Sequence, residues 1–598
     1  MPPAARVECP HADRCPGCPL IGQAPDAQLE AKAHRLARAL APFAAWLDVE
    51  PEPVRAAPSD VEYRTRAKLV VAPGVPPRLG LFAPGHEVVD LPGCRVLAPP
   101  LRAAAAGLRQ VLAAPPREAG DALRAEGDGD GRLRAVDLRA VYEDGEAAVL
   151  VTLVLREGGD TDAALAAACE ALARAVPTLR GVAVSRHAGR SPQVLGELPR
   201  VLLGPGRHRD RLRPGRPWSF ASHGAFVQAH GEQAAAIQDE VERALAPLPG
   251  RRVLELYAGS GSLALALAAE GARVTAVEAF APAARAAEEA ARAQGIAGLD
   301  ARAGSAEHWL PRLAASGERY DAVIANPPRR GLAPQVRTAI AALGAARVIY
   351  VSCEPTTLAR DLAHLARLGL RAERLAPFDL LPQTAEVESV AVLERAAPVE
   401  PPLLFEDEHL RAIDAPGDAP GPGGTGLFGG AEPGASGVAL VARDRTTAAA
   451  LREAHAAGRW LALVRGVARA HGRLGEGARH RRLDVIGGHA LLEVCWEGRR
   501  APSIRRRLAA IGEPVLGDDR HGHTSSNRHL FERFGLDRPF VHCASLELAH
   551  PRTGAPLRIE APLAPDLAAV LERLAGEAPV APRGAGVRAL RRRARAPR

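Results

Sequence analysis

The stretch Arg252-Val-Leu-Glu-Leu-Tyr-Ala-Gly-Ser-Gly-Ser262 decides the fold of the central part of the chain. Its apolar run is followed by Gly259 and Gly261 and then by a helical pattern, and a second apolar run, 273–278, ends on Glu278. Glycines permit a tight turn and let a ligand approach the backbone, and a carboxylate at the next strand end can accept hydrogen bonds from ribose hydroxyls. The pattern predicts a nucleotide-binding strand–loop–helix–strand unit.

The same alternation of apolar runs and helical patterns continues through residues 216–398. Further strands are predicted at 321–325, 347–351 and 387–393, and helices at 262–270 and 282–294. Strands that alternate with helices indicate an α/β fold with a doubly wound, mainly parallel sheet.

The glycine loop favours a nucleoside cofactor over a dinucleotide. The third glycine of the dinucleotide fingerprint is absent, and Tyr257 lies inside the loop. S-adenosylmethionine is therefore the expected cofactor. The alternative is an ordinary α/β turn with Glu278 at the surface.

Length and charge indicate several domains and an anionic partner. The chain has 598 residues, 47% of them apolar and 24% charged, with a net charge of +8. The positive charge favours RNA as a partner. Almost all of that charge is arginine, since Lys32 and Lys68 are the only lysines. No run of 18 uncharged apolar residues and no apolar N-terminal segment occur, so we expect a cytoplasmic monomer without membrane association.

Patterning divides the chain into five parts. The expected parts are an N-terminal cysteine-containing region (1–96), a central α+β domain that binds RNA (97–215), the doubly wound domain (216–398), a further α+β domain (401–578) and a basic tail (579–598). The tail is either disordered and solvated or an arm that contacts RNA phosphates.

Three of the eight cysteines are clustered as Cys9-x5-Cys15-x2-Cys18, and Cys94 is a possible fourth ligand. In a cytosolic chain such a cluster indicates a metal rather than disulfides. Zinc and an iron–sulfur cluster both suit four thiolates, and the spacing does not choose between them. Cys169 lies in an alanine-rich helix and is expected in the core.

Cys353 ends the apolar run 347–353. A cysteine at a strand tip is usually a small core residue, but its position beside the cofactor loop makes it a candidate nucleophile.

Several motifs, in this order, resemble the bacterial RNA uracil-C5 methyltransferase family, which acts on 23S rRNA and tRNA. They are the N-terminal cysteines, Glu62-Tyr-Arg-Thr-Arg-Ala-Lys68, Leu79-Gly-Leu-Phe82, Ala225-Phe-Val-Gln228, the glycine loop, Asn326-Pro-Pro-Arg-Arg-Gly331, Ser352-Cys353 and Val387-Glu388. The Asn-Pro-Pro-Arg-Arg-Gly form, and the absence of a β-barrel domain ahead of the cysteines, are similar to the 23S rRNA members.

The resemblance implies a class I methyltransferase fold and assigns the chemistry. Cys353 would add as a thiolate to uracil C6, which makes C5 nucleophilic, and Glu388 would remove the C5 proton after methyl transfer. A histidine commonly stands two residues before the family's base, where this chain has Glu386. An RNA base inside a fold must be extruded to reach Cys353.

The resemblance also assigns the remaining site residues. Cofactor contacts would come from Gln228, Tyr257, Gly259, Gly261, Glu278 and Asn326. A [4Fe-4S] cluster, favoured over zinc, would be held by Cys9, Cys15, Cys18 and Cys94.

Residues 403–565 resemble the pseudouridine synthases related to the large-subunit rRNA enzymes. The matching pieces include Leu404–Leu410, Ser436–Arg443, Trp460–Gly466 and Ile511–Asp518. At the family's nucleophilic aspartate this chain has Glu432, in the segment 429–432. The family's Arg-Thr-His-Gln-Ile-Arg segment has become 500–505, and Trp460 replaces a tyrosine.

These changes predict a C-terminal domain that binds RNA but no longer isomerises uridine, since a carboxylate displaced by about an ångström can cost roughly 10²-fold in rate. Two alternatives remain open. The protein could be both a methyltransferase and a pseudouridine synthase that uses Glu432, or an RNA-binding factor without catalysis.

Overall fold

The chain forms two compact units in this computed structural model. The structure describes residues 6–576 except 160, 190–193, 418–426, 430–431, 433, 476 and 500–502, and of 427–429 only the backbone. The first unit comprises the chain up to Ala41 together with Leu47–Ala397, and the second comprises Pro42–Trp46 together with the chain from Pro398. The division lies beside the expected boundary at 398–401. No helix in the described part of the chain is long and apolar enough to cross a membrane.

The N-terminal half of the first unit is a seven-stranded sheet covered by helices. Its strands are β1 Arg66–Ala72, β2 Arg78–Phe82, β3 Val88–Asp90, β4 Leu133–Glu143, β5 Glu146–Arg156, β6 Leu179–His187 and β7 Arg200–Leu203, in the order β3-β2-β1-β4-β5-β6-β7. Helices α2 Pro99–Ala113 and α3 Asp162–Ala175 pack on it, together with a 3₁₀ helix at Arg117–Leu123. Helix α1 Pro25–Leu40 and a 3₁₀ helix at Ala41–Phe43 precede the sheet in the chain.

This sheet crosses the expected boundary at 96/97. Strand β1 pairs with β4, so the strands of the cysteine-containing region and those of the central α+β region share one ladder. Alternate residues of β1, β4 and β5 are buried against α2 and α3 in a single apolar core. A two-stranded ribbon, β8 Arg207–Asp210 and β9 Ser219–Ser222, leads to helix α4, Gly231–Leu245.

A doubly wound sheet follows, as the alternating pattern predicts. Its strands are β10 Arg252–Leu256, β11 Arg273–Glu278, β12 Leu299–Ala303, β13 Ala322–Ala325, β14 Arg347–Ser352, β15 Leu370–Phe378 and β16 Glu388–Arg395. The helices are α5 Ser262–Ala269, α6 Ala281–Ala293, α7 Ala306–Ser316, α8 Pro334–Ala342 and α9 Pro355–Arg367.

The strand order positions the site. The order is β12-β11-β10-β13-β14-β16-β15, in which β10 to β14 are parallel and β16 is antiparallel to both neighbours. The order reverses between β10 and β13, and ligands of such sheets bind outside the carboxyl ends of the strands at that point.

The second unit is built on a ten-stranded sheet. Its strands are β17 Leu403–Glu406, β18 Leu410–Ala415, β19 Leu427–Gly429, β20 Ser436–Ala442, β21 Ala456–Val464, β22 His471–Arg473, β23 Ala478–Ile486, β24 His489–Gly498, β25 Val541–Ala549 and β26 Pro556–Glu560. The helices are α10 Arg445–Glu453, α11 Ile504–Ala510, α12 Thr524–Phe534 and α13 Pro565–Gly576. The basic tail, 579–598, lies outside the described residues.

Candidate active site

One cavity of about 1710 Å³ in the first unit collects almost every predicted cofactor and catalytic residue. Its lining includes Gln228, Tyr257, Gly259, Glu278, Asn326, Cys353 and Glu388. Gly261, the N-cap residue of α5 with a φ of 73°, is not among the lining residues. Residues up to 160 positions apart in the sequence therefore share one site.

The glycine loop has the strained turn that its sequence predicts. Gly259 and Gly261 have φ values of 59° and 73°, which favour glycine. A Cβ on Gly261 would lie 2.6 Å from the Cβ of Ala287, so the loop and α6 pack too closely for any side chain. The Glu278 carboxylate accepts the Gly259 N–H at 2.8 Å and the Phe280 N–H at 2.7 Å. Glu278 thus shapes the loop as well as facing the cavity.

Glu255 also lines the cavity, although no sequence motif predicts it. It lies within the apolar run of β10, is 4% exposed, and its Oε2 has no hydrogen-bond partner among the described residues. Burial raises the pKa of this carboxyl to about 8, and the nearby charge of Glu278 adds to the effect. An acid inside an otherwise apolar strand was the available signal.

Cys353 and Glu388 meet at the end of an antiparallel ladder. The register of β14 with β16 aligns Ser352 with Ser389, so the next two residues, Cys353 and Glu388, lie opposite each other. Both side chains line the cavity. The strand pairing therefore brings together two groups that are 35 residues apart in the sequence.

Burial controls the ionisation of both groups. It raises the pKa of the Cys353 thiol to about 12; the charge of Glu388 adds to this rise, and the Arg329 guanidinium opposes it. Burial likewise raises the pKa of Glu388 to about 8, again against the influence of Arg329. The carboxyl can thus exchange a proton near neutral pH, as a general base must.

Glu386, which stands where the family commonly has histidine, lies between two arginines. Its Oε2 is 3.0 Å from Arg35 Nη1 and 3.1 Å from Arg329 Nη2. The negative charge of Glu386 contributes to the raised pKa of Glu388. Arg329 therefore forms an ion pair with Glu386 and also lowers the pKa values of Cys353 and Glu388.

A buried network fixes the turn that follows Arg329. The Asp361 carboxylate accepts the Leu332 N–H and the Tyr350 hydroxyl, each at 2.7 Å, and forms an ion pair of 2.6 Å with Arg337. Because these groups are buried, their loss would leave charges unpaired, so the turn is held firmly.

The four N-terminal cysteines lie around a second, small cavity of about 20 Å³ that Cys9, Cys15, Cys18 and Cys94 line together. Burial raises the pKa of Cys18 to about 12, and the nearby Cys94 and Cys15 thiols add to the rise. In the described part of the chain no group of three or more histidine, cysteine or acidic residues is spaced as a finished metal site. The thiols nevertheless form the convergent sulfur donor set that soft metals prefer. Cys169 is buried in the core, as predicted.

In the second unit the Glu432 carboxylate is engaged by the start of α11. It accepts the Ser503 hydroxyl at 2.5 Å, the Ile504 N–H at 3.1 Å and the Arg505 Nε–H at 3.3 Å. Arg505 also contacts the buried Asp518 at 3.3 Å. Glu432 therefore binds the N-terminus of α11, whose N-cap is Ser503, while residues 430–431, 433 and 500–502 lie outside the described part.

Comparisons with known proteins show the family to which the chain belongs. Residues 220–396 match the family model of tRNA (uracil-5-)-methyltransferases. The 23S rRNA (uracil(1939)-C(5))-methyltransferase RlmD of Edwardsiella ictaluri is 32% identical over 404 residues, which cover 66% of this chain and 83% of that protein. The chain belongs to the RNA uracil-5-methyltransferase family. Its members transfer methyl groups from S-adenosylmethionine, which is therefore the cofactor expected at the glycine loop.

Two further relatives extend the family assignment. An uncharacterized RNA methyltransferase of Geobacter sulfurreducens is 30% identical over 397 residues, 66% of this chain and 78% of that protein. The fold also resembles the crystal structure of the Pyrococcus abyssi tRNA (uracil-54, C5)-methyltransferase in complex with S-adenosyl-L-homocysteine. That likeness has a TM-score of 0.50 at 24% identity and covers 63% of this chain and 86% of that one.

Proposed function

We propose that this methyltransferase methylates C5 of a uridine in 23S rRNA through a covalent adduct between Cys353 and uracil C6. The observation that carries the proposal is the placement of Cys353 opposite Glu388 in the wall of the cofactor cavity. The similarity to a 23S rRNA enzyme favours that RNA as the substrate.

The two residues divide the reaction between them. The Cys353 thiolate adds to C6 and moves an electron pair to the C4 carbonyl, so that C5 becomes an enolate carbon. Bound S-adenosylmethionine supplies the methyl group to C5. The Glu388 carboxylate then takes the C5 proton, the C5–C6 double bond re-forms and the thiolate leaves. Arg329 lowers the pKa of Cys353 and so favours the attacking form.

The cofactor would lie along the glycine loop. We assign Glu278 to the ribose hydroxyls, since its carboxylate faces the cavity at the end of β11. The other contacts would come from Gln228, Tyr257 and Asn326, and the backbone of Gly259 and Gly261 would allow close approach.

Transfer of labelled methyl groups to 23S rRNA tests the proposal. Cys353→Ala should abolish transfer and the denaturation-resistant protein–RNA complex, whereas Cys495→Ala, a half-buried thiol of the second unit, should leave both unchanged. Normal transfer by Cys353→Ala would refute the adduct. Transfer to tRNA but not to 23S rRNA would refute the substrate.

We further propose that Cys9, Cys15, Cys18 and Cys94 hold a [4Fe-4S] cluster. Their shared cavity and sulfur-only donors support it. Anaerobically purified protein should contain about four irons and four acid-labile sulfides per chain. Cys18→Ser should lower both contents, and stoichiometric zinc without sulfide would refute the cluster.

The second unit, by this proposal, is a pseudouridine-synthase-like module that binds rRNA without isomerising uridine. The helix-capping contacts of Glu432 support a structural role for its carboxylate. Chemical mapping of pseudouridine in rRNA treated with the wild type and with Glu432→Ala decides the question. Pseudouridine that forms with the wild type and disappears with Glu432→Ala would instead establish a bifunctional enzyme.

A further inference from the structure

Helix α1 holds the segment that leads to Glu388. This segment, residues 379–388, runs from the end of β15 to Glu388, the first residue of β16, and is called the base-bearing segment. The Lys32 side chain is fully buried, and its ammonium donates to the carbonyl oxygens of Leu381 at 3.1 Å and Glu386 at 2.7 Å, and also to that of Thr384. It forms an ion pair of 3.0 Å with Asp379.

A second set of contacts fixes the middle of the same segment. Gln28 and Gln383 form a reciprocal pair, in which Gln28 Nε2 donates at 3.0 Å and Gln28 Oε1 accepts the Gln383 N–H at 2.9 Å. Gln383 has a φ of 68°, a strained conformation for a residue other than glycine. The Tyr63 hydroxyl donates to the Pro382 carbonyl at 2.9 Å, and the Leu20 N–H to the Gln383 carbonyl at 3.0 Å. A strained conformation of this kind persists only where its surroundings determine it.

The choice of lysine at this position fits the contacts. Only Lys32 and Lys68 are lysines among the 77 lysine and arginine side chains, so arginine fills every other such position. An ammonium is a compact charge with three donors that can converge on several carbonyl oxygens, whereas a guanidinium is a planar fork suited to one carboxylate. The ring of backbone acceptors in the base-bearing segment therefore matches lysine.

We propose that Lys32 is a positioning residue for methyl transfer, which sets the base-bearing segment so that the Glu388 carboxylate reaches the C5 proton. The inference rests on the proposed role of Glu388. Lys32 is fully buried and is not among the residues that line the cofactor cavity, so it would act through the segment and not on the substrate. A shift of the base by about an ångström costs roughly 10²-fold in the step that it catalyses.

The reaction step that slows in a Lys32 variant shows whether Lys32 positions Glu388 or only stabilises the fold. Addition of Cys353 to C6 and methyl transfer precede proton removal, so a misplaced Glu388 lets the adduct form but slows its breakdown. Lys32→Met should therefore accumulate a denaturation-resistant protein–RNA complex that already carries the labelled methyl group, with release slowed about 10- to 100-fold. Loss of fold would instead reduce adduct formation and release together.

The experiment compares Lys32→Met with Arg38→Met, an exposed residue of the same helix that should behave as the wild type. Gln28→Leu should slow release as well, because it removes the contacts to Gln383 without leaving a buried charge. Lys32→Met/Asp379→Asn removes both charges of the ion pair and serves if Lys32→Met alone melts early. Release at the wild-type rate in both Gln28→Leu and a folded Lys32 variant would overturn the inference.

Glu388→Gln separates this inference from the function on which it rests. If Glu388→Gln fails to trap a methylated adduct, the proposed role of the base is wrong. If Glu388→Gln traps the adduct and the α1 variants do not, only the positioning role of Lys32 is wrong.

Discussion

The raised pKa of Glu388 predicts how the release of methylated RNA depends on pH. A general base acts in its ionised form, and burial raises the pKa of this carboxyl from 4.5 to about 8. With that pKa, about one tenth of the base is ionised at pH 7 and about nine tenths at pH 9. We therefore expect the rate of adduct breakdown to rise about tenfold between these pH values and to level off above them.

The neighbouring carboxylate supplies the perturbation. Glu386→Gln removes a negative charge that raises the pKa of Glu388, and it releases Arg329, whose charge lowers that pKa. Both effects lower the pKa of Glu388 and so move the pH dependence of adduct breakdown to lower pH. Breakdown at pH 7 should become about two- to fivefold faster, which corresponds to a fall in pKa of up to about one unit. Glu394→Gln, further along the same strand and half-exposed, is the matched control and should leave the profile in place.

The assay must isolate breakdown from addition. Because the pKa of the Cys353 thiol is about 12, the addition step also accelerates with pH over the whole range. Adduct should therefore be formed at one pH, then shifted rapidly to pH values from about 6 to 9.5, and quenched at intervals. A breakdown rate that is constant from pH 6 to 9, or a Glu386→Gln profile displaced to higher pH, would refute the assignment of Glu388 as a buried base.

Three further predictions concern single positions. The pKa of Glu388 is higher in the folded than in the unfolded chain, so ionisation of this carboxyl lowers the free energy of unfolding as the pH rises from 4.5 to about 8. Glu388→Gln should therefore raise the free energy of unfolding by about 2–4 kcal/mol at pH 8.5 and leave it unchanged at pH 4. Urea titrations at the two pH values measure both quantities. Gly261→Ala places a Cβ 2.6 Å from that of Ala287, so calorimetry should show S-adenosylmethionine affinity reduced at least tenfold, and unchanged affinity would contradict the tight packing of the loop. Arg329→Gln removes the cation that lowers the pKa of Cys353, so iodoacetamide should alkylate that thiol more slowly at pH 9, measured by peptide mass spectrometry; faster alkylation would be the contrary result.

The sequence predicts the parallel part of the sheet well because its signals are local. The predicted strands 252–256 and 273–278 coincide with β10 and β11, since buried parallel strands are short apolar runs bounded by polar turns. The antiparallel placement of β16 beside β14 was not predicted, because strand pairing depends on contacts between distant segments. The seven-stranded sheet that crosses 96/97 was missed for the same reason.

The site divides in the same way. Resemblance to a known family named Cys353 and Glu388 by number, but only the strand register shows that they stand opposite each other. In the sequence Lys32 stands out only because lysine is rare, since its acceptor Leu381 lies 349 residues away. No local pattern can reveal such a contact.

Because the chain has only two lysines, a reagent that reacts with amines can modify very few side chains of the folded enzyme. Lys32 is enclosed, whereas Lys68 is exposed and lines the cofactor cavity. Lys68 is exposed to solvent but partly desolvated by the cavity wall, and this desolvation and the neighbouring Arg66 lower its pKa, which increases its free-amine fraction. An amine-specific acylating reagent should therefore modify one side chain, in the lining of the cavity, in addition to the N-terminal amine. Protection of Lys68 during incubation with RNA fragments would report occupancy of the cavity without an engineered label.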